Sequence, residues 1–127
     1  MPDRYERGRE RMAEVHGPGQ RRVVESLGDL GRYAIGFAYG EVYERPGLSL
    51  RDRELAAVAM LTVLGHEAQL RAHLAAALRA GLTPREVEEV IIHTVPFAGF
   101  PTAIGALQAF RDVLSRERAR PEREGGG

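Results

Sequence analysis

The sequence contains no cysteine, lysine, asparagine or tryptophan. Without cysteine there is no disulfide, no thiolate nucleophile, no thiolate zinc site and no dithiol redox pair. There is no surplus of charge either: eighteen basic residues face eighteen acidic ones, and the formal net charge is zero. A protein that grips nucleic acid by neutralising phosphates carries a basic excess, so nucleic acid is not an expected partner. Long apolar runs are also missing. The longest, Leu55 to Leu64, is interrupted by Thr62 and falls short of the ~18 apolar residues that a membrane span needs. The opening residues, MPDRYERGRERMAEVHG, are charged and lack the apolar centre of a secretory signal. No membrane partner is expected, and a cytoplasmic location is. No stretch alternates apolar and polar residues in the manner of a strand.

What remains is a chain of 127 residues, 43% apolar and 28% charged, enough for one globular domain with its own core. The expected organisation is a single domain over 1–119 and a charged, glycine-rich, disordered tail over 120–127. The punctuation is helical throughout. A charged amphipathic helix over Pro2–Val15 meets Gly17-Pro18-Gly19, a triplet expected to end it. A short helix around Gln20–Leu27 and a longer one from Asp29 to Glu44 follow, up to Arg45-Pro46-Gly47. Ser49 is placed to cap the next helix, which is apolar almost all round from Leu55 to Leu64. Such a helix demands cover on every side, more than one small chain offers, so a homo-oligomer is expected. His66–Ala80 reads as helix stopped by Gly81. Thr83-Pro84-Arg85-Glu86 reads as a capping box with proline at the first helical position. The stretch Pro96–Pro101 reads as a tight apolar joint before a last helix over Thr102–Arg118. The fold class is all-α, a compact bundle of about six helices.

Chemistry falls mainly to four histidines. His16, in a Gly/Pro loop, is assigned no role. His66, Gln69 and His73 are spaced three and four apart and share one helical face. Two readings stand for this stripe: a proton-transfer site, because imidazole titrates near neutrality, or histidines satisfied in the interior or in solvent. Glu54, twelve residues before His66, either orients a histidine or pairs with Arg51 or Arg53. His93 follows the apolar run Val90-Ile91-Ile92. His66 and His73 lie seven apart, not the three to five of compact zinc pairs, and no metal is expected.

Several of these residues fall in longer matches. Phe37-Ala38-Tyr39-Gly40-Glu41-Val42-Tyr43-Glu44-Arg45-Pro46-Gly47-Leu48 resembles a signature of the carboxymuconolactone decarboxylase family. So do Leu64-Gly65 with Leu70, His73, Ala76 and Ala77; Gly81-Leu82-Thr83 through Glu86 with Glu89-Val90; and His93-Thr94 with Ala98-Gly99-Phe100-Pro101-Thr102-Ala103. The resemblance covers about residues 4 to 116. In the disulfide reductases of the wider alkyl hydroperoxidase-like superfamily, a Glu is followed by Cys-x-x-Cys and a His. Here those places hold Glu54, His66, Gln69 and His73, so both sulfurs are gone and thiol peroxidase-type chemistry is not expected. The branch without that motif is the better likeness, although many of its members carry Arg in place of His66 and a Glu near Gln69.

The resemblance implies an alkyl hydroperoxidase-like helical fold, a trimer or hexamer, and a cofactor-free carboxy-lyase of aromatic-compound catabolism. Its substrate would be 4-carboxymuconolactone or a similar small lactone carboxylate. That chemistry needs an acid to protonate carbon, and His73 is the first candidate, with His66 and His93 after it and Glu54 beside them. It needs cations for the carboxylate that stays, and Arg45 and Arg53 are candidates because guanidinium binds carboxylate through two parallel bonds. Glu41 and Gln69 are candidate substrate-site residues, with Tyr39 and Phe97 as pocket walls. The alternatives are another small-acid isomerase or hydrolase on the same fold, or a non-catalytic oligomeric binding protein.

Overall fold

The computed structural model describes residues 2–120. Eight α-helices and one π-helical segment follow one another: α1 (Arg4–His16), α2 (Pro18–Glu25), α3 (Asp29–Tyr33), the π segment (Ala34–Val42), α4 (Leu50–Leu64), α5 (Glu67–Arg79), α6 (Pro84–His93), α7 (Val95–Ala98) and α8 (Phe100–Ala119). Among the described residues there is no strand, and no helix is long and apolar enough to cross a membrane. From Pro121 onward the expected tail lies outside the described residues.

The caps written in the sequence are made. The Asp3 side chain accepts from the Glu6 N–H at 2.9 Å, and Ser49 Oγ accepts from Asp52 N–H at 3.1 Å. The box at Thr83 closes both ways, with Glu86 N–H donating to Thr83 Oγ1 at 3.1 Å and Thr83 N–H to Glu86 Oε1 at 2.9 Å. At the end of α5, Gly81 takes a φ of 104°. Leu82 N–H then reaches back to the Ala77 carbonyl at 3.0 Å and Gly81 N–H to that of Leu78 at 3.1 Å, the double closure of a Schellman stop.

Three expectations change. Gly17 and Pro18 do not leave a gap. With φ at 90°, Gly17 is at once the end of α1 and the start of α2, and Pro18 opens the new helix, where its missing N–H costs nothing. The helix expected over Asp29–Glu44 turns π-helical from Ala34, and Tyr43 N–H bonds the carbonyl five residues back, Ala38, at 2.8 Å. The joint before the last helix contains one helical turn, α7, and α8 starts earlier, at Phe100. As expected for one chain alone, α4 is not covered all round, with Met60 58% and Leu64 62% exposed.

The chain divides into two compact units, Met1–Glu54 and Leu55–Gly127, the division falling inside α4. In the first, α1 lies on the π segment backbone to backbone. A methyl group at Gly8 would stand 2.1 Å from the Ile35 carbonyl oxygen, and one at Gly40 2.0 Å from that of Arg4. Met12, Val15, Ile35 and Tyr39 are buried there. Ion pairs tie α1 to its neighbours: Arg4 to Glu41 of the π segment, Arg9 to Glu25 of α2 at 2.5 Å, and Arg11 to Glu44 just past the π segment at 2.6 Å. In the second unit, α5 and α6 pack on α8. Leu70, Leu74, Val87, Ile91, Ala106 and Phe110 belong to its core, each large one gaining ~1.5–3 kcal/mol by leaving water.

The close approach at Gly8 and Gly40 gives a direct test. Gly8→Ala and Gly40→Ala are expected to cost about 1–3 kcal/mol, as overpacking does. Gly19→Ala, whose methyl would meet nothing within 4 Å, is expected to gain up to ~1 kcal/mol from helix propensity. Urea melts of the three variants check this, and a gain at Gly8 would refute the contact.

Candidate functional site

Two features stand out, one in each unit. In Met1–Glu54 the centre is Glu54, whose side chain is 0% exposed. The Tyr43 hydroxyl donates to its Oε2 at 2.6 Å. The Tyr43 ring stacks on Tyr39, centroids 4.6 Å apart and planes 17° from parallel. At the far side, the Tyr39 hydroxyl and His16 Nε2 hydrogen-bond at 2.8 Å. The guanidinium of Arg53 lies 5.9 Å from the centre of the Tyr43 ring, and its Nη2 donates to the Arg45 carbonyl at 2.8 Å. Its Nε is buried and, among the described residues, has no hydrogen-bond partner. The π turn explains how the aromatic pair arises, since Tyr39 lies inside it and Tyr43 directly after it.

This array perturbs both phenols in the same direction. Burial pushes Tyr39 well above the usual phenol range, and the negative charge of Glu54 adds to it. Burial does the same to Tyr43, followed by its hydrogen bond to Glu54. Both phenols are therefore held in the neutral form, in which Tyr43 donates to Glu54.

The second feature is a groove of about 480 Å³ in Leu55–Gly127. Leu55, Ala59 and Val63, one stripe of α4 at intervals of four, form one wall. Glu89, Val90, His93 and Thr94 of α6 and its end, with Phe97 of α7, form the other. The walls are almost wholly carbon. His93 meets the edge of Phe97 at 5.6 Å and 71°, and Phe97 is 75% exposed.

The candidate residues sort themselves accordingly. Tyr39, Glu54, Arg53 and the Arg45 backbone gather in the first feature, and His93 with Phe97 in the second. Glu41 is exposed and paired with Arg4. His66 is not on the α5 face that its spacing suggested. It is the N-cap residue, outside the helix, and exposed, as is Gln69. His73 is half-buried on α5. None of these three lines the groove. Sequence reasoning gave no role to His16 and overlooked Glu89 and the Leu55/Ala59/Val63 stripe. The interval of four between Glu89 and His93, and along that stripe, was the available signal.

Because the fold holds Tyr39 and Tyr43 neutral, their contribution to stability is complete below the ordinary phenol range near pH ~10 and is lost as pH rises past it. The melting temperature is therefore expected to fall above about pH 10, and to fall less steeply in Tyr43→Phe. Identical slopes would contradict the raised phenol.

The family model described as the carboxymuconolactone decarboxylase family matches residues 28–112. A 4-carboxymuconolactone decarboxylase of Acinetobacter baylyi is 36% identical over 125 residues, covering 94% of this chain and 93% of its own. A nitrosuccinic acid decarboxylase of Metarhizium robertsii is 29% identical over 112 residues, covering 83% of this chain and 69% of its own. The match to the family model and the near full-length similarity agree with the motifs from Phe37 to Ala103: this chain belongs to the carboxymuconolactone decarboxylase family.

Proposed function

We propose that the protein is a cofactor-free decarboxylase that removes carbon dioxide from 4-carboxymuconolactone or a similar small lactone carboxylate in aromatic-compound catabolism. The observation that carries this reading is an imidazole, His93, bordering a groove of almost pure carbon. The two relatives add a common thread, since both names describe loss of carbon dioxide from a small acid.

In the reaction, the bond from ring carbon to carboxylate breaks and its electron pair flows into the conjugated ester. Carbon dioxide leaves, and a dienolate remains to be protonated on carbon. A carboxylate about to lose its charge is favoured in surroundings that solvate charge poorly, which the groove walls provide. His93 is the proposed donor to carbon, with the half-buried His73 as second candidate and exposed His66 as third. The residues that line the groove include no arginine to hold a second carboxylate. Anchoring of the second carboxylate is therefore assigned to Arg53, whose buried Nε lacks a partner among the described residues, and to Arg45. Within the first unit Glu54 and Tyr39 are further proposed site residues, and in the second Phe97 is proposed as a wall of the groove. Glu41 and Gln69 are the weakest of the proposed substrate contacts, the one tied to Arg4 and the other in solvent.

The proposal extends to an alkyl hydroperoxidase-like, homo-oligomeric fold, a trimer or hexamer, in the cytoplasm. Within Leu55–Gly127, Met60, Leu64, Phe97, Phe100 and Ile104 are all more than half exposed, which supports cover by a partner subunit.

The test is turnover of 4-carboxymuconolactone, followed by carbon dioxide release. His93→Gln is expected to lower kcat by about 10²–10⁴-fold, the usual worth of a positioned acid, with little change in melting temperature because the side chain is exposed. Full activity in His93→Gln together with loss in His73→Gln would move the donor to α5. Wild-type protein that releases no carbon dioxide would refute the decarboxylase.

A further inference from the structure

Glu54 is sealed from solvent, and a buried carboxylate is stable as an anion only where donors meet it. Tyr43 supplies one at 2.6 Å. The phenol that supplies it is itself held. Tyr39 stacks on it with centroids 4.6 Å apart, and Tyr39 is fixed at its own hydroxyl by His16 at 2.8 Å. We propose that Tyr43 is a positioning residue of this enzyme: it aims and holds the Glu54 carboxylate, and Tyr39 and His16 hold Tyr43. The inference rests on the decarboxylase reading above and adds a residue that acts through Glu54 without touching substrate.

Packing alone does not account for the arrangement. Two phenylalanines would stack as well, and burying a carboxylate with two hydroxyls costs desolvation that apolar side chains would avoid. The polar ends are also connected in series, with imidazole on one phenol, phenol ring on phenol ring, and the second phenol on the acid. The neighbouring cation, Arg53, is tied to the Arg45 carbonyl at 2.8 Å and lies 5.9 Å from the Tyr43 ring centre. The same phenol thus borders both the acid and the proposed carboxylate anchor. A π-helical segment sets Tyr39 and leads directly into Tyr43, and such segments recur where a fold is shaped for function.

The experiment is a double-mutant cycle on the full chain with 4-carboxymuconolactone as substrate. Tyr43→Phe keeps the ring and the stack and removes only the donor. It is expected to lower kcat by roughly 10–100-fold, as when a group that orients a reacting side chain is lost, with KM changed by less than about twofold. In a Glu54→Gln background, Tyr43→Phe is expected to cost nothing further, because the residue it positions is already gone. Tyr39→Phe, which retains the stack and loses the tie to His16, is expected to lower kcat less than Tyr43→Phe. Wild-type kcat in Tyr43→Phe, or equal losses in both backgrounds, would overturn the positioning role. If the wild type releases no carbon dioxide, the decarboxylase reading fails and the pair is judged on folding. The urea midpoint shift caused by Tyr43→Phe must then vanish in Glu54→Gln, and an equal shift in both overturns the proposal.

Discussion

A carboxylate withdrawn completely from water must be answered by donors, and the N-terminal unit is arranged to meet that demand at Glu54. An unanswered buried charge costs several kcal/mol, so the structure around it admits few alternatives. Tyr43 must present its hydroxyl, which fixes where its ring lies. The ring then needs a partner face, which Tyr39 provides. Tyr39, buried in turn, must satisfy its own hydroxyl, which His16 does. One expensive group thus dictates a sequence of side chains that reaches from the second turn of α4 to the last residue of α1.

The C-terminal unit follows a different logic. Its core is aliphatic, with Leu, Ile, Val and Ala from α4, α5, α6 and α8 and one phenylalanine, and its ends are closed by local rules, the capping box at Thr83 and the stop at Gly81. The groove is what those helices leave between them, with an imidazole and a carboxylate at an interval of four on one wall. The division between the units falls within α4, which contributes Glu54 to the array and Leu55, Ala59 and Val63 to the groove.

Much of this was legible in the sequence wherever the determinant is local. Thr83-Pro84-Arg85-Glu86 states its cap within four residues, Gly81 its left-handed stop within one, and the family motifs span both units. Determinants that act between distant residues were not legible. The switch from α- to π-helix at Ala34 leaves the apolar pattern of Asp29–Glu44 unchanged, so periodicity could not reveal it. The stripe His66–Gln69–His73 rested on continuing the helix one residue too far. With His66 at the cap, its direction is set by a φ of −86° and ψ of 85° and not by helical phase. His16 looked inert because a glycine and a proline follow it, and its partner lies twenty-three residues away. Glu54 was singled out by spacing and by its match to the superfamily's Glu, and neither indicated that it would be sealed from solvent and held by a tyrosine.

The backbone-to-backbone contact between α1 and the π segment has one more consequence. Because glycine stands at both touching points, no side chain lies between the two pieces of backbone there. Sliding α1 by a single residue would bring Arg7 or Arg9 into the gap that Gly8 fills, and neither can be accommodated. The contact therefore works as a ratchet tooth, tolerating one alignment of the two helices and rejecting its neighbours. His16 ends α1 eight residues further on, so the tooth at Gly8 also determines where that imidazole arrives.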